Sequence, residues 1–265
     1  MASSLVDCNT DFDVSAVRGK TAIVTGGAQG IGESYVRALV NAGAYVVIGD
    51  IATKPAEKLV SEFPDQLHFT KCDVTQWPDQ VALFRAARTF SPTSLIHIVV
   101  ANAGISTSVD SIFATNEESL DAEPAEPSLA MVDVNYKGVL YTTKLALHYF
   151  RRQHAAALAA GDPSPQTSLV LQGSIAAYLD ASTFCQFLRT ALVPPQLIEH
   201  LDANGIALAS GEDAGQCLLR IVSDREMNGR ALCVLARSLV KQAPRGYYDM
   251  DSEGILEGPW QKIFQ

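Results

Sequence analysis

Basic side chains are scarce in this chain: 20 Lys and Arg stand against 29 Asp and Glu, for a formal net charge of −9 and a pI near 5.0. A surface of that sign repels a phosphate backbone or an anionic membrane, so neither nucleic acid nor membrane is an expected partner. Cysteine is sparse too. Cys8, Cys72, Cys185, Cys217 and Cys233 are odd in number and widely spaced, with no Cys-x-x-Cys pair. That argues against a disulfide framework or a zinc site and for a reducing, cytoplasmic setting. His68, His97, His148, His154 and His200 are scattered without ligand spacing, and no metal is expected. No apolar run reaches the ~20 residues that cross a bilayer. The opening MASSLVDCNTDFD has neither the basic nor the apolar region of a secretion signal.

Hydrophobic residues make up 48% of the 265 positions, enough to cover a sheet on both faces. Unbroken strand–helix alternation favours one α/β domain over two small ones. The chain is organised around residues 20–32, KTAIVTGGAQGIG. Thr21, Ala22, Ile23 and Val24 read as a strand buried on both faces, ending abruptly in glycine. Gly26, Gly27, Gly30 and Gly32 lack the Cβ that would hold a ligand away from the backbone. From Ile31 the pattern turns helical, with Ile31, Tyr35 and Leu39 on one stripe and Val36 and Val40 beside it. Strand, glycine turn and helix start bring free N–H groups and the positive end of a dipole to one point, which suits a pyrophosphate.

A second strand follows at 44–48, and Asp50 stands at its end, twenty-four positions after Gly26. An acid about that far on can bond both hydroxyls of an adenosine ribose and would repel a ribose phosphate, so Asp50 favours NAD, with NADP as the alternative. The competing reading is a βαβ unit whose glycines only let a helix pack closely on the sheet. Agreement of turn, helix and terminal acid favours binding.

At this point the sequence resembles the short-chain dehydrogenases/reductases. Thr25-Gly26-Gly27-Ala28-Gln29-Gly30-Ile31-Gly32 fits their TGxxxGxG turn, and four further landmarks fit in order: Cys72-Asp73-Val74, Asn102-Ala103-Gly104, Asn135 within Val134–Gly138, and Ser174 after a buried strand. Within the family the chain is similar to the NAD-dependent 15-hydroxyprostaglandin-dehydrogenase-like members of fungi. The resemblance implies a Rossmann-type, doubly wound parallel sheet. It also implies a nicotinamide-dependent oxidoreductase acting on an alcohol or ketone, a small-molecule substrate and a role in secondary metabolism. By the same resemblance Ser174 and Asn135 are catalytic. Gly26, Gln29, Gly30, Ile31, Gly32, Asp50, Asp73, Asn102, Lys137 and Thr190 contact or frame the cofactor, Asp73 near the adenine and Thr190 at the nicotinamide amide. Asp73 has a second reading, as the cap of a helix opening at Gln76.

Residues 1–18 read as a polar lead, a strap across the sheet or a disordered arm, and 19–265 as the domain. Further strands are expected at 67–71, 95–100, 168–171 and 231–235. Helices are expected at 54–63, 80–90, 129–152, 196–201 and 214–222, the last opened by a capping box at Ser210-Gly211-Glu212-Asp213. Packing into the core is the expected fate of the aromatic tail at 245–249.

One family feature is missing. A Tyr-x-x-x-Lys pair should follow the serine, the phenol passing the proton while hydride moves and the ammonium lowering its pKa. Here Phe184, Cys185, Gln186, Phe187 and Leu188 occupy that place, and no lysine occurs after Ser174 until Lys241. Only sixteen positions separate Ser174 from Thr190, too few for a helix and a strand with their turns. A block is therefore missing around 180–188, with a defect expected in the sheet where a sixth strand and the helix before it would stand. The family's usual dimer loses half its contact surface with it, although a homo-oligomer stays open. Tyr178 is the nearby phenol, but Lys137 and Lys144 lie about 200° and 180° from Asn135 on an ideal helix, facing elsewhere. Alternatives to a redox enzyme are a nucleotide-binding pseudoenzyme, a non-redox isomerase or cyclase, and a gene model that skips an exon.

Overall fold

The computed structural model describes residues 7–8, 11–106, 123, 126–174, 209–224, 227, 230–234 and 246–249. The expected missing block, the helix at 196–201, Tyr178 and Thr190 fall outside these residues.

Five parallel strands form the central sheet in the order β3-β2-β1-β4-β5: β1 (Thr21–Thr25), β2 (Tyr45–Asp50), β3 (Leu67–Lys71), β4 (Ile98–Ala101) and β5 (Ser168–Leu171). Every residue of β1 and β4 is buried, as the continuous apolar runs predict for strands covered on both faces. The period of two sorts them. Ala22 and Val24 of β1 face a core built with α1 (Gly30–Asn41), α2 (Thr53–Glu62) and α5 (Gly211–Ser223), while Ile23 faces α3 (Trp77–Phe90) and α4 (Val139–Ala160). This is the expected doubly wound arrangement.

On α1 the predicted stripe holds: Tyr35, Val36, Leu39 and Val40 are buried. The helix stops at Ala42, and Gly43 leaves it in the left-handed region at φ 89°. α5 opens with the predicted box, Ser210 Oγ accepting from Asp213 N at 3.1 Å while Asp213 accepts from Ser210 N at 3.2 Å. It packs on α1 through Gly215, where a Cβ would lie 2.9 Å from Ala38 Cβ.

Two elements differ from expectation, one of them in two ways. The helix expected at 129–152 is interrupted: a turn at Ala130–Val132 leads into a π-helical turn at Asp133–Gly138, and only then does α4 begin. α4 also runs on to Ala160, because 155–160 is nearly all alanine, the best helix former, and it stops at Gly161 with φ 72°. The last strand, β6 (Leu232–Val234), does not join the large sheet. It pairs antiparallel with β7 (Tyr247–Asp249). Among the described residues β5 is bonded to β4 alone, so β6 has no neighbour there and finds its backbone partners in the tail. Tyr247 and Asp249 are fully buried, and Asp249 sits 3.5 Å from Arg230, in keeping with a tail that packs. In the N-terminal lead, a 3₁₀ turn at Val14–Val17 is capped by Asp13, and Cys8 is buried.

Candidate active site

Because all five strands run parallel, their carboxyl ends open on one edge of the sheet. Gly26 follows β1, Asp50 ends β2, Asp73 lies two residues past β3, Asn102 one past β4 and Ser174 three past β5.

The glycine turn is closed tightly. Gly26 adopts φ 65° and donates to Gly49 O at 2.7 Å; a Cβ there would lie 2.8 Å from Ala103 Cα. A Cβ on Gly32 would overlap the carbonyl oxygen of Gly26 and come within 2.6 Å of Asn102 Nδ2. Gln29, extended and exposed, is the N-cap of α1 but supplies no side-chain bond to the first turn. The opening N–H groups around Gly30, Ile31 and Gly32 are thus not capped by that side chain, as an anion site needs. Ile31 packs against the α1-side core and seats the turn. Asn102 holds the same turn from β4: its Nδ2 donates to Thr25 O at 2.9 Å and Gly26 O at 3.1 Å, and its N–H donates to Thr25 Oγ1 at 3.0 Å.

Asp50 is tied to that turn. Its Oδ2 accepts from Ala28 N at 3.0 Å and its Oδ1 from Ala52 N at 2.9 Å, so the carboxylate is oriented by backbone on both oxygens and each keeps a further lone pair. Beside it Ile51 is 66% exposed, an apolar side chain at the mouth of the site that pattern reading passed over. The available signal was an isoleucine directly after the strand-terminal acid.

At the end of β3, Asp73 makes a tight turn, accepting from Thr75 N at 2.9 Å, while its own N–H donates to Asp79 Oδ2 at 3.0 Å. Asp73 is not the helix cap: α3 begins at Trp77 with Gln76 as its N-cap. Buried Cys72 senses this gathering of acids. Its thiol is pushed up to about 12, first by burial and then by the charges of Asp79, Asp73 and Asp50, which keeps it protonated at neutral pH.

Asn135 lies in the π turn and reaches across to the segment after β4, its Oδ1 accepting from Ile105 N at 2.9 Å and its Nδ2 donating to Ile105 O at 2.8 Å. The turn is held from beneath by buried Gln80, whose Nε2 donates to Val74 O at 2.7 Å and Gly138 O at 2.9 Å while its Oε1 accepts from Thr142 Oγ1 at 2.8 Å. Ideal α-helical angles therefore do not apply between Asn135 and Lys137. Lys137 pairs with Asp133 Oδ1 at 2.6 Å, and that bond, followed by Asp133, Tyr141 and Asp73 as charges or dipoles, raises its pKa. Ser174 is exposed at the end of β5. The structure ties Gly26, Asp50 and Asn102 to one hydrogen-bonded turn, against which Gly32 packs and after which Gly30 opens α1; Asn135 joins it through the Ile105 backbone, and Asp73 and Lys137 share a neighbouring acidic rim.

Comparison with known proteins agrees with this architecture. The short chain dehydrogenase family profile matches residues 20–159. The 5'-hydroxyaverantin dehydrogenase of Dothistroma septosporum is 32% identical, the match covering 95% of this chain and 92% of the relative. That alignment runs over 297 positions, more than the 265 residues present here, so the relative carries additional residues inside the matched span. The NADP-dependent dehydrogenase M3 of Phoma sp. is 28% identical over 87% of this chain and 79% of its own. Among solved structures, a 3-ketoacyl-(acyl-carrier-protein) reductase from Brucella melitensis complexed with NADH superposes with a TM-score of 0.58 at 19% identity, over 80% of this chain and 94% of that one. The chain belongs to the short-chain dehydrogenase/reductase family, whose members are nicotinamide-dependent oxidoreductases.

Proposed function

We propose that this protein binds NAD in preference to NADP and acts as an oxidoreductase on an alcohol or ketone of a small molecule in fungal secondary metabolism, in the manner of the 15-hydroxyprostaglandin-dehydrogenase-like members. The observation that carries the reading is the Asp50 carboxylate, fixed by Ala28 N and Ala52 N beside a glycine turn into which a Cβ cannot fit. The site fits a dinucleotide. Gly26, Gln29, Gly30, Ile31 and Gly32 would receive the diphosphate on main-chain N–H groups, Asp50 the ribose hydroxyls, and Asp73 with Ile51 the adenine side. Asp50, Asp73 and Asp79 together make the rim unfavourable for a ribose phosphate, which favours NAD over NADP.

The nicotinamide supplies or accepts hydride when bound. Toward that end of the cofactor, Ser174 would orient the substrate oxygen by its hydroxyl, Asn135 would hold the strand-end backbone at Ile105 in place, and Thr190 would meet the carboxamide. Lys137 is engaged by Asp133 at the exposed rim. Proton transfer at the substrate oxygen then falls to water or substrate, which slows turnover by roughly a hundred- to ten-thousand-fold against an enzyme with the phenol in place.

Calorimetry with NADH and NADPH on wild type and Asp50→Asn tests the cofactor reading. NADH should bind wild type at least about tenfold more tightly than NADPH, and the substitution should close most of that gap by removing the charge. Neither dinucleotide binding to folded protein would overturn it. Turnover of an alcohol and ketone panel, dependent on NADH or NAD, tests the chemistry; turnover without nicotinamide would instead establish a non-redox isomerase or cyclase, and NADH binding with no turnover a pseudoenzyme. A second reading, that the natural messenger encodes the missing block, is favoured by the 297-position alignment. Sequencing the transcript decides it: an in-frame messenger without the block ends that reading.

A further inference from the structure

We propose that Tyr35 and Gln172 form a positioning pair that sets the end of β5, and with it Ser174, against the helix that begins at the glycine turn. The inference rests on the dinucleotide reading above. Tyr35 lies three residues after Gly32 on the first turns of α1 and is 6% exposed. Its hydroxyl donates to Gln172 Oε1 at 2.5 Å. Sheet order places β5 two strands from β1, roughly 10 Å at ordinary strand spacing. Tyr35 packs in the same core as Val100 of β4 and Val170 of β5, and its terminal oxygen makes the bond.

The Gln172 end is equally defined. Its backbone N–H donates to Ala101 O at 3.0 Å, carrying the β4–β5 ladder one residue past the strand, and its Nε2 donates to Gly173 O at 2.7 Å. Both ends of the amide are engaged. Gly173 has no side chain, and a Cβ there would meet nothing within 4 Å, so packing at that residue does not fix the path to Ser174. Among the described residues, the bond from Tyr35 ties this strand end to the helix that begins at the glycine turn.

A dinucleotide laid along the sheet edge has its adenosine at Asp50 and Asp73, its diphosphate at the start of α1, and its remaining end toward β4 and β5. Loosening residues 172–174 should therefore weaken the nicotinamide end and leave the adenosine end alone. The probes are NADH and ADP-ribose, which lacks the nicotinamide, titrated against wild type, Tyr35→Phe, Gln172→Leu, the double variant and Gln172→Glu. Tyr35→Phe and Gln172→Leu should each weaken NADH by roughly three- to tenfold, the worth of one neutral hydrogen bond, with ADP-ribose within about twofold of wild type. The double variant should be no worse than the poorer single one. Gln172→Glu, whose carboxylate still accepts from the phenol, should keep the wild-type ratio of the two affinities. A role in core packing alone would lower thermal stability and shift both ligands together. An unchanged NADH to ADP-ribose ratio in Tyr35→Phe and Gln172→Leu, or losses that add in the double variant, would overturn the pair while leaving the cofactor reading intact. Wild type that binds neither probe would overturn the cofactor reading and the pair with it.

Discussion

Gly32 faces the carbonyl oxygen of Gly26 and the Asn102 amide so closely that even a methyl group has no room, and all three nearest neighbours are backbone or anchored to it. Gly32→Ala should therefore open the turn: NADH affinity falls more than about tenfold and the melting temperature drops, both measurable on the same preparation. At the opposite end of the strands His97 has a different significance. Its Nδ1 accepts from Thr21 N at 3.1 Å, which only a neutral ring can do, and burial, assisted by the nearby Lys20 charge, lowers its pKa from 6.5 to about 4. An unfolded chain binds the proton more readily than the folded one between those values. Stability contributed by the neutral ring is thus fully present above about pH 6.5 and is lost as pH falls toward 4. Thermal melts from pH 7.5 to 4.5 should decline more steeply for wild type than for His97→Gln, whose amide does not titrate in that interval.

Between α3 and α4 the structure relies on one buried amide. Gln80 satisfies the carbonyls of Val74 and Gly138 and receives the Thr142 hydroxyl, and so holds the π turn from which Asn135 projects. Gln80→Leu fills the space but strands the Val74 carbonyl, while the Thr142 hydroxyl keeps Gly138 O as its acceptor at 3.0 Å, at a cost of about 1–3 kcal/mol. Urea unfolding should show a loss of roughly 1–3 kcal/mol, part of it recovered by water. The same variant should broaden or shift the amide resonances of Asn135 and Ile105, because the turn that aims the carboxamide loses its support. A π segment rotates less per residue than an α-helix and carries one more residue per closed bond, so ideal helical angles do not describe Lys137, which pairs with Asp133.

Among the described residues the larger buried cluster lies on one side of the sheet, where α1, α2 and α5 share a core with β1, β2 and β4. Since α1 is also the helix that would receive a diphosphate, ligand binding and global stability are linked. Saturating NADH at a hundred times its dissociation constant should add about 2.7 kcal/mol to the unfolding free energy and raise the melting temperature by a few degrees. NADPH at the same concentration should give a smaller shift, because the acidic rim at Asp50, Asp73 and Asp79 opposes a further phosphate. Differential scanning measurements with each dinucleotide read both effects.

Period and punctuation made the front of the molecule legible from residues alone. Continuous apolar runs specify buried parallel strands, glycine at Gly26 and Gly32 specifies a close turn, and Ser210 with Asp213 specifies a helix start, because each depends on neighbours within a few positions. For the same local reason, the missing Tyr-x-x-x-Lys pair is visible in the one-dimensional chain. Long-range partners were not encoded in any window. That β6 would pair with the tail, that Gln80 would support the turn of Asn135, and that Tyr35 would reach Gln172 at the end of β5 follow from strand order and from which polar groups the folded chain brings within hydrogen-bond distance. Those are decisions of tertiary packing, since a hydrogen bond between residues 137 positions apart has no signature until the sheet is assembled.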